Sequence, residues 1–307
     1  SFSLQFPINY VQSQSRQQSY TETETLGRGI ISEASWRPDG QAILVNTNRG
    51  AWIYTADFEV LTHLDDVRLA VFSPGGSFLA AARADQPQVL VWDAESYALI
   101  QTIEVSSELY GIDAIAWSPD DSQIAIGIYD RVEIFDVESQ QSVLSLSLAT
   151  PVASLTWKLD GQRLAIGRVG YLDIVDLPQG QIHTTLEIDS GKPIALWSPD
   201  QQTLATLAAY FDGAGNTINT LKVWDDDGRN LRLVIQMPYS RTFAWSPDGI
   251  VLASQNYSDS GYPIYPLYFW DVRTGEVLPL SLADDTYHQS IISVAWSPDG
   301  TQLMTTL

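Results

Sequence analysis

A six-residue phrase, an aromatic residue leading into a Pro-Asp-Gly turn, recurs seven times in the 307-residue chain, and no other feature constrains the fold so tightly. The first three copies are Ser35-Trp36-Arg37-Pro38-Asp39-Gly40, Val71-Phe72-Ser73-Pro74-Gly75-Gly76 and Ala116-Trp117-Ser118-Pro119-Asp120-Asp121. A degenerate copy follows at Thr156-Trp157-Lys158-Leu159-Asp160-Gly161. The last three are Leu196-Trp197-Ser198-Pro199-Asp200-Gln201, Ala244-Trp245-Ser246-Pro247-Asp248-Gly249 and Ala295-Trp296-Ser297-Pro298-Asp299-Gly300. Their aromatic positions are 36, 45, 40, 40, 48 and 51 residues apart, about 43 on average. That period is the length of one four-stranded antiparallel unit that buries its faces only against like neighbours.

Each part of the phrase has a local cause. The alternation before it, as in Ile292-Ser293-Val294-Ala295-Trp296, has the period of two of a strand. Pro presets φ, Asp bonds the nearby backbone, and Gly takes the positive φ that closes a hairpin. A second strand follows, such as Gln162-Arg163-Leu164-Ala165-Ile166. A third ends in an apolar–aromatic–Asp signature: Val91-Trp92-Asp93, Val223-Trp224-Asp225, Phe269-Trp270-Asp271, and more weakly Ile134-Phe135-Asp136 and Ile174-Val175-Asp176. A polar turn then leads to a short outer strand such as Leu99-Ile100-Gln101-Thr102-Ile103.

These residues resemble the WD-repeat β-propeller family over nearly the whole chain. The resemblance implies an all-β, seven-bladed propeller of four-stranded antiparallel blades, near residues 30–63, 67–104, 111–147, 151–187, 192–236, 240–281 and 290–307. Six-bladed propellers sharing the Ser-Pro-Asp-Gly phrase are disfavoured by the seven copies and the Trp-Asp endings. One departure stands out. The family's Gly-His pair ahead of the innermost strand is replaced by Arg28-Gly29, Tyr110-Gly111 and Tyr239-Ser240, so its buried His network is not expected. The segment Leu26-Gly27-Arg28-Gly29 is similar to one in exported bacterial members of the family.

A ring must join its last blade to its first or leave strand edges open. Thr301–Thr306 supplies only the second strand of the last blade. Residues 1–26 are expected to complete it, with a third strand from Phe2–Tyr10 and an outermost one from Ser19–Leu26. The alternative is that the sequence is a portion of a longer chain.

Composition narrows function. With 16 Lys+Arg against 37 Asp+Glu the net charge is −21, which argues against nucleic acid, whose phosphates select clustered cations. There is no cysteine, hence no disulfide, thiolate zinc site or Cys nucleophile. No stretch approaches a membrane span. His63, His183 and His288 fall on different blades, so no metal site is expected. A Ser-His-Asp set has no nucleophile elbow to support it. Asp225-Asp226-Asp227-Gly228 and Asp212-Gly213-Ala214-Gly215-Asn216 lack the spacing of a calcium loop and read as solvated turns. The expectation is a non-enzyme without cofactor or metal.

In the family, the loops from outer to inner strand and from second to third strand share one face, here the loop face. The phrase turns occupy the opposite, turn face. Two long second-to-third loops, Ala209–Thr220 and Asn256–Leu267, carry Tyr210 and Phe211, and Tyr257, Tyr262 and Tyr265. Tyr239 and Tyr287 flank the same sector. Loop aromatics bring large contact area at low entropy cost; packing onto the rim is the alternative role. Half of the sixteen cations also map to this face: Arg28, Arg49, Arg68, Arg83, Arg131, Arg168, Lys192 and Arg241. Arginine pairs carboxylates bidentately, so this rim suits an acidic peptide or protein loop, unless it pairs internally with Asp65, Asp66, Asp113 or Asp284. The expected site is Tyr210, Phe211, Tyr239, Arg241, Tyr257, Tyr262, Tyr265, Tyr287, Arg28, Arg68, Arg131 and Arg168. The expected function is a protein- or peptide-binding scaffold. A channel-centred hydrolase or lyase on a small or sugar substrate, and a structural domain of an envelope assembly, are the alternatives. Three lysines and no cysteine suit an extracellular or envelope setting, with the cytoplasm as the other possibility.

Overall fold

The structure, a computed structural model, describes residues 2–5, 22–25, 29–105, 111–188, 191, 193–211, 217–237, 240, 242–255, 267–278 and 291–306. These residues are all β, without an α-helix. The N-terminal strands are β1 (Phe2–Gln5) and β2 (Glu22–Thr25). The first blade then holds β3 (Ile31–Trp36), β4 (Ala42–Thr47), β5 (Gly50–Thr55) and β6 (Val60–Leu64). The second holds β7 (Val67–Phe72), β8 (Phe78–Arg83), β9 (Gln88–Asp93) and β10 (Leu99–Glu104). The third holds β11 (Ala114–Trp117), β12 (Gln123–Ile128), β13 (Arg131–Asp136) and β14 (Ser142–Ser147). The fourth holds β15 (Val152–Trp157), β16 (Arg163–Arg168), β17 (Tyr171–Asp176) and β18 (Gln181–Glu187). The fifth holds β19 (Ile194–Trp197), β20 (Thr203–Phe211), β21 (Thr217–Asp225) and β22 (Leu231–Met237). A three-stranded sheet follows, β23 (Phe243–Trp245), β24 (Val251–Gln255) and β25 (Leu267–Asp271). The closing blade is β26 (Ser293–Trp296) and β27 (Leu303–Thr306) with β1 and β2, in the order β2-β1-β27-β26.

Pairing is antiparallel throughout these sheets, so the molecule has the architecture of a β-propeller. One expectation is corrected. Six sheets have four strands, not seven, because only the start of a fourth strand is described beside β25: a bridge from Trp270 to Val277, with Leu278 N–H donating to the Phe269 carbonyl at 2.7 Å. The closure by the N-terminal segment holds, with Ser3, Leu4 and Gln5 opposite Thr306, Thr305 and Met304.

The phrase tryptophans join neighbouring sheets. Trp117, Trp157, Trp245 and Trp296 donate Nε1–H to the carbonyls of Val71, Ala116, Leu196 and Ala244 at 3.4, 3.1, 3.2 and 3.3 Å. Each acceptor directly precedes the aromatic residue of the previous sheet. Around them, alternate strand residues form continuous apolar layers between blades, such as Leu164, Ile166 and Val175 against Ala125 and Val132. Between the closing and first blades, Ala34 N–H donates to Ser293 Oγ at 3.1 Å.

The phrase turns close on themselves. Ser118 Oγ donates to Asp120 Oδ1 at 2.6 Å and accepts Gln123 N–H at 2.8 Å, and Ser198 and Ser297 repeat the pattern. Where five copies place a glycine at φ near +70°, Asp121 and Gln201 adopt φ +61° and +62°. At two Trp-Asp endings, Trp224 and Trp270 donate to Thr206 Oγ1 and Ser254 Oγ at 3.1 and 3.0 Å.

Candidate functional site

Antiparallel order puts successive connections at alternate ends, so second-to-third loops and crossings to the next blade emerge together. Backbone bonds weld them there. The crossing between β14 and β15 gives Leu148 N–H to the Asp130 carbonyl at 2.7 Å and Val152 N–H to the Tyr129 carbonyl at 2.6 Å. On its other side, the Pro151 carbonyl accepts Val169 N–H at 3.0 Å. The loop face of these two blades is a rigid, hydrogen-bonded surface.

Most of the expected aromatic cluster lies outside the described residues: Tyr239, Tyr257, Tyr262, Tyr265 and Tyr287, with Arg28, Arg241 and Lys192. The expected loop Ala209–Thr220 is corrected. Tyr210 and Phe211 belong to β20 and pair with Ile218 and Thr217, leaving only residues 212–216 to connect two nine-residue strands. Aromatic and β-branched residues at these positions favour continuing the ladder into a projecting hairpin.

Of the described rim arginines, Arg68, Arg83, Arg131 and Arg168 have internal partners. Arg168, at the end of β16, grips Asp173 through Nε at 2.5 Å and Nη2 at 3.2 Å, and its Nη1 donates to Thr150 Oγ1 at 3.2 Å. Asp173 is fully buried and accepts a further bond from Thr185 Oγ1 at 2.6 Å. Arg131 Nε lies 3.1 Å from Oε1 of Glu133, buried at the equivalent position of β13. A carboxylate buried in a blade requires a cation beside it, and these arginines supply it from the rim. Arg68 Nη2 donates to the Ile112 carbonyl at 2.8 Å, and Arg83 Nε is 3.7 Å from Asp85 Oδ1. Among the described residues the acids beside these arginines are Glu133, Asp173 and Asp85; Asp284 lies outside the described residues. Arg49 is exposed at its turn.

The described loop face presents residues that the emphasis on long loops passed over. Tyr129 is 40% exposed at φ +49°, and Tyr171 is 36% exposed with its ring 4.4 Å from the Arg168 guanidinium. Val169 and Ile194 are exposed beside them. A Tyr at the same tight turn in consecutive copies, Tyr129 before Asp130 and Tyr171 after Gly170, was the available signal. Toward the axis, Glu33 on β3 is open to solvent yet crowded by protein, and desolvation raises its carboxyl above the ordinary value. Asp113 is exposed and accepts Tyr129 N–H at 3.0 Å.

The described histidines lie on outer strands. His63 stacks on Trp52 at 3.7 Å on β6, and His183 Nδ1 is 3.2 Å from Asp176 Oδ2 on β18; His288 is outside the described residues. Among the described residues no three His, Asp or Glu side chains gather to hold a metal ion. Asp225 and Asp227 serve their own turn, accepting Asn230 and Arg229 N–H at 3.1 and 3.0 Å. Compared with known proteins, the chain matches no family model and no curated protein.

Proposed function

We propose that the chain is a seven-bladed propeller of WD-repeat type acting as a non-catalytic scaffold that binds a protein or peptide on its loop face. The blade count rests on the seven phrases and on the beginning of an outer strand at Val277 and Leu278. The observation that carries the binding role is the pair of exposed tyrosines, Tyr129 and Tyr171. They flank one crossing segment whose backbone bonds and Arg168–Thr150 contact hold both turns. Rigid aromatics lose little entropy on contact, which is why interfaces use them. The hairpin bearing Tyr210 and Phe211 belongs to the next blade and extends this face. With Arg68, Arg131 and Arg168 engaged internally, the partner is read through aromatic contact more than through a cationic rim. Three lysines and no cysteine favour an extracellular or envelope setting. No helix among the described residues is long and apolar enough to cross a membrane.

The test is affinity capture of a partner by the intact protein, followed by titration against Tyr129→Ala/Tyr171→Ala and, separately, Tyr239→Ala/Tyr262→Ala. Loss of about tenfold in affinity with an unchanged melt supports the face. Undiminished binding by both double variants refutes it.

A further inference from the structure

On the turn face, the described residues bring one phrase turn against the neighbouring sheet at every junction but one, where the sheets meet deeper down, through Trp157 and the carbonyl of Ala116. A methyl group on Gly40, Gly76 or Gly300 would lie 3.8, 3.8 or 3.6 Å from Cδ of Pro298, Pro38 or Pro247 on the preceding sheet, and one on Gly249 would lie 3.3 Å from Asp200 Cγ. Between the second and third blades Asp121 makes the contact, accepting Ser73 Oγ–H at 2.8 Å and Gly75 N–H at 2.9 Å. Between the fourth and fifth, Leu159 N–H donates to Gln201 Oε1 at 2.6 Å, and Lys158 Nζ is 2.8 Å from Asp226 Oδ2. At the junction of the third and fourth blades, a methyl on Gly161 would meet nothing within 4 Å, and a cavity of about 350 Å³ opens there.

The degenerate phrase makes this gap. Leu159 stands where the six other copies have Pro, and Lys158 replaces the Ser or Arg that in five of them bonds the turn Asp. Lys158 leans away onto Asp226 and the Trp197 ring, 5.6 Å from its centroid, and stays 3.8 Å from Asp160. The cavity is apolar at depth, with buried Ile134, Trp157 and Leu177, and Val143 and Leu159 beside them are 51% and 58% exposed. The charged residues lining it are both carboxylates, Asp120 and Asp160, and both are exposed. Ser118 and Ser122 hold Asp120 below its ordinary carboxyl value, so it is an anion at neutral pH.

We propose that this groove docks a linear peptide segment bearing one bulky aliphatic side chain next to Lys or Arg. Charge complementarity selects this occupant: the aliphatic group covers Leu159 and Val143, and the cation meets Asp120 and Asp160, of which Asp160 already has Lys158 Nζ at 3.8 Å and Asp120 has no ion pair among the described residues. An acidic segment is repelled, and a second copy of this chain brings a charge of −21. The volume, at the small end of ligand pockets, fits one or two side chains.

A random heptapeptide display library selected against the intact protein, with the Leu159→Lys variant as competitor, tests this. Recovered peptides are then synthesised and titrated by fluorescence anisotropy. The expected peptides carry an aliphatic residue beside Lys or Arg. They lose about tenfold or more in affinity to Leu159→Lys, and separately to Val143→Lys on the other blade. They weaken with Asp160→Asn and as ionic strength rises beyond about 0.1 M. Leu99→Lys, at an equally exposed apolar site on the second blade, leaves affinity unchanged. Both groove positions are exposed, and the melt of each variant checks its folding. Failure to recover any peptide, recovery of acidic or unpatterned peptides, or indifference to both groove variants overturns the proposal.

Discussion

Replacing Arg168 by Met is expected to cost about 3–5 kcal/mol of folding stability, the range for removing one partner of a buried ion pair. The Asp173 carboxylate is fully buried and takes two bonds from the guanidinium and one from Thr185 Oγ1. In the variant only the Thr185 hydroxyl remains, and a buried anion faces Ile166, its partner across the hairpin, without a counter-charge. The double variant Arg168→Met/Asp173→Leu removes both charges and should recover most of the loss, since apolar replacements of buried pairs are often neutral or better. Urea unfolding followed by circular dichroism gives the three free energies, and the double-mutant cycle isolates the coupling. At about 2 °C per kcal/mol for a chain of this size, the single variant also melts about 6–10 °C lower. A cost below about 1 kcal/mol would put the pair with solvated surface bridges and refute the assignment. It would then return Arg168 to the cations free for a partner.

Deleting residues 1–26 removes β1 and β2 and exposes the β27 edge; the melt should fall by the equivalent of at least about 3 kcal/mol, and an unchanged melt would deny the seam a structural role. The turn carboxyls of Asp39, Asp120 and Asp299 are lowered, first by side-chain bonds from Arg37, Ser118 and Ser297, so their stabilisation is present above the unfolded value of about 3.9 and disappears as pH falls through the folded ones. A melt recorded against pH should hold near neutrality and drop below about pH 4. Glu33 has the opposite sign: desolvation raises it, its charged form opposes folding above the folded value, and Glu33→Gln should raise the melt at neutral pH with the gain vanishing in acid.

What could be read from the sequence was what one turn decides locally. Pro, Asp and Gly set the hairpins, and the Trp at the head of each phrase found its place because the strand alternation fixes which face it occupies. The partners of the rim arginines were hidden, since Asp173 and Glu133 sit inside apolar strands and their pairing depends on cross-hairpin register. Ile166 opposes Asp173, and Arg168 opposes Tyr171, so the guanidinium reaches the acid on the diagonal. The 209–220 segment misled for a related reason. Gly213 and Gly215 signalled a loop, but Tyr210-Phe211 and Thr217-Ile218 pair well enough to keep the ladder going. The exposed Tyr129 and Tyr171 were passed over because short turns draw less notice than long ones.

The seam in the closing blade sets a clock on folding. Ser3 pairs with Thr306, so β1 waits for β27, about 300 residues later in synthesis. At about 5–20 residues per second that interval is roughly 15–60 s, during which β1 and β2 have no edge to join. The ring therefore cannot shut until β27 has been made, and its closing step is an intramolecular docking of β1 onto β27. Linking residue 307 to residue 1 and opening the chain at the turn of exposed Leu159 and Asp160 would retain every described strand pairing while moving the wait to a different blade.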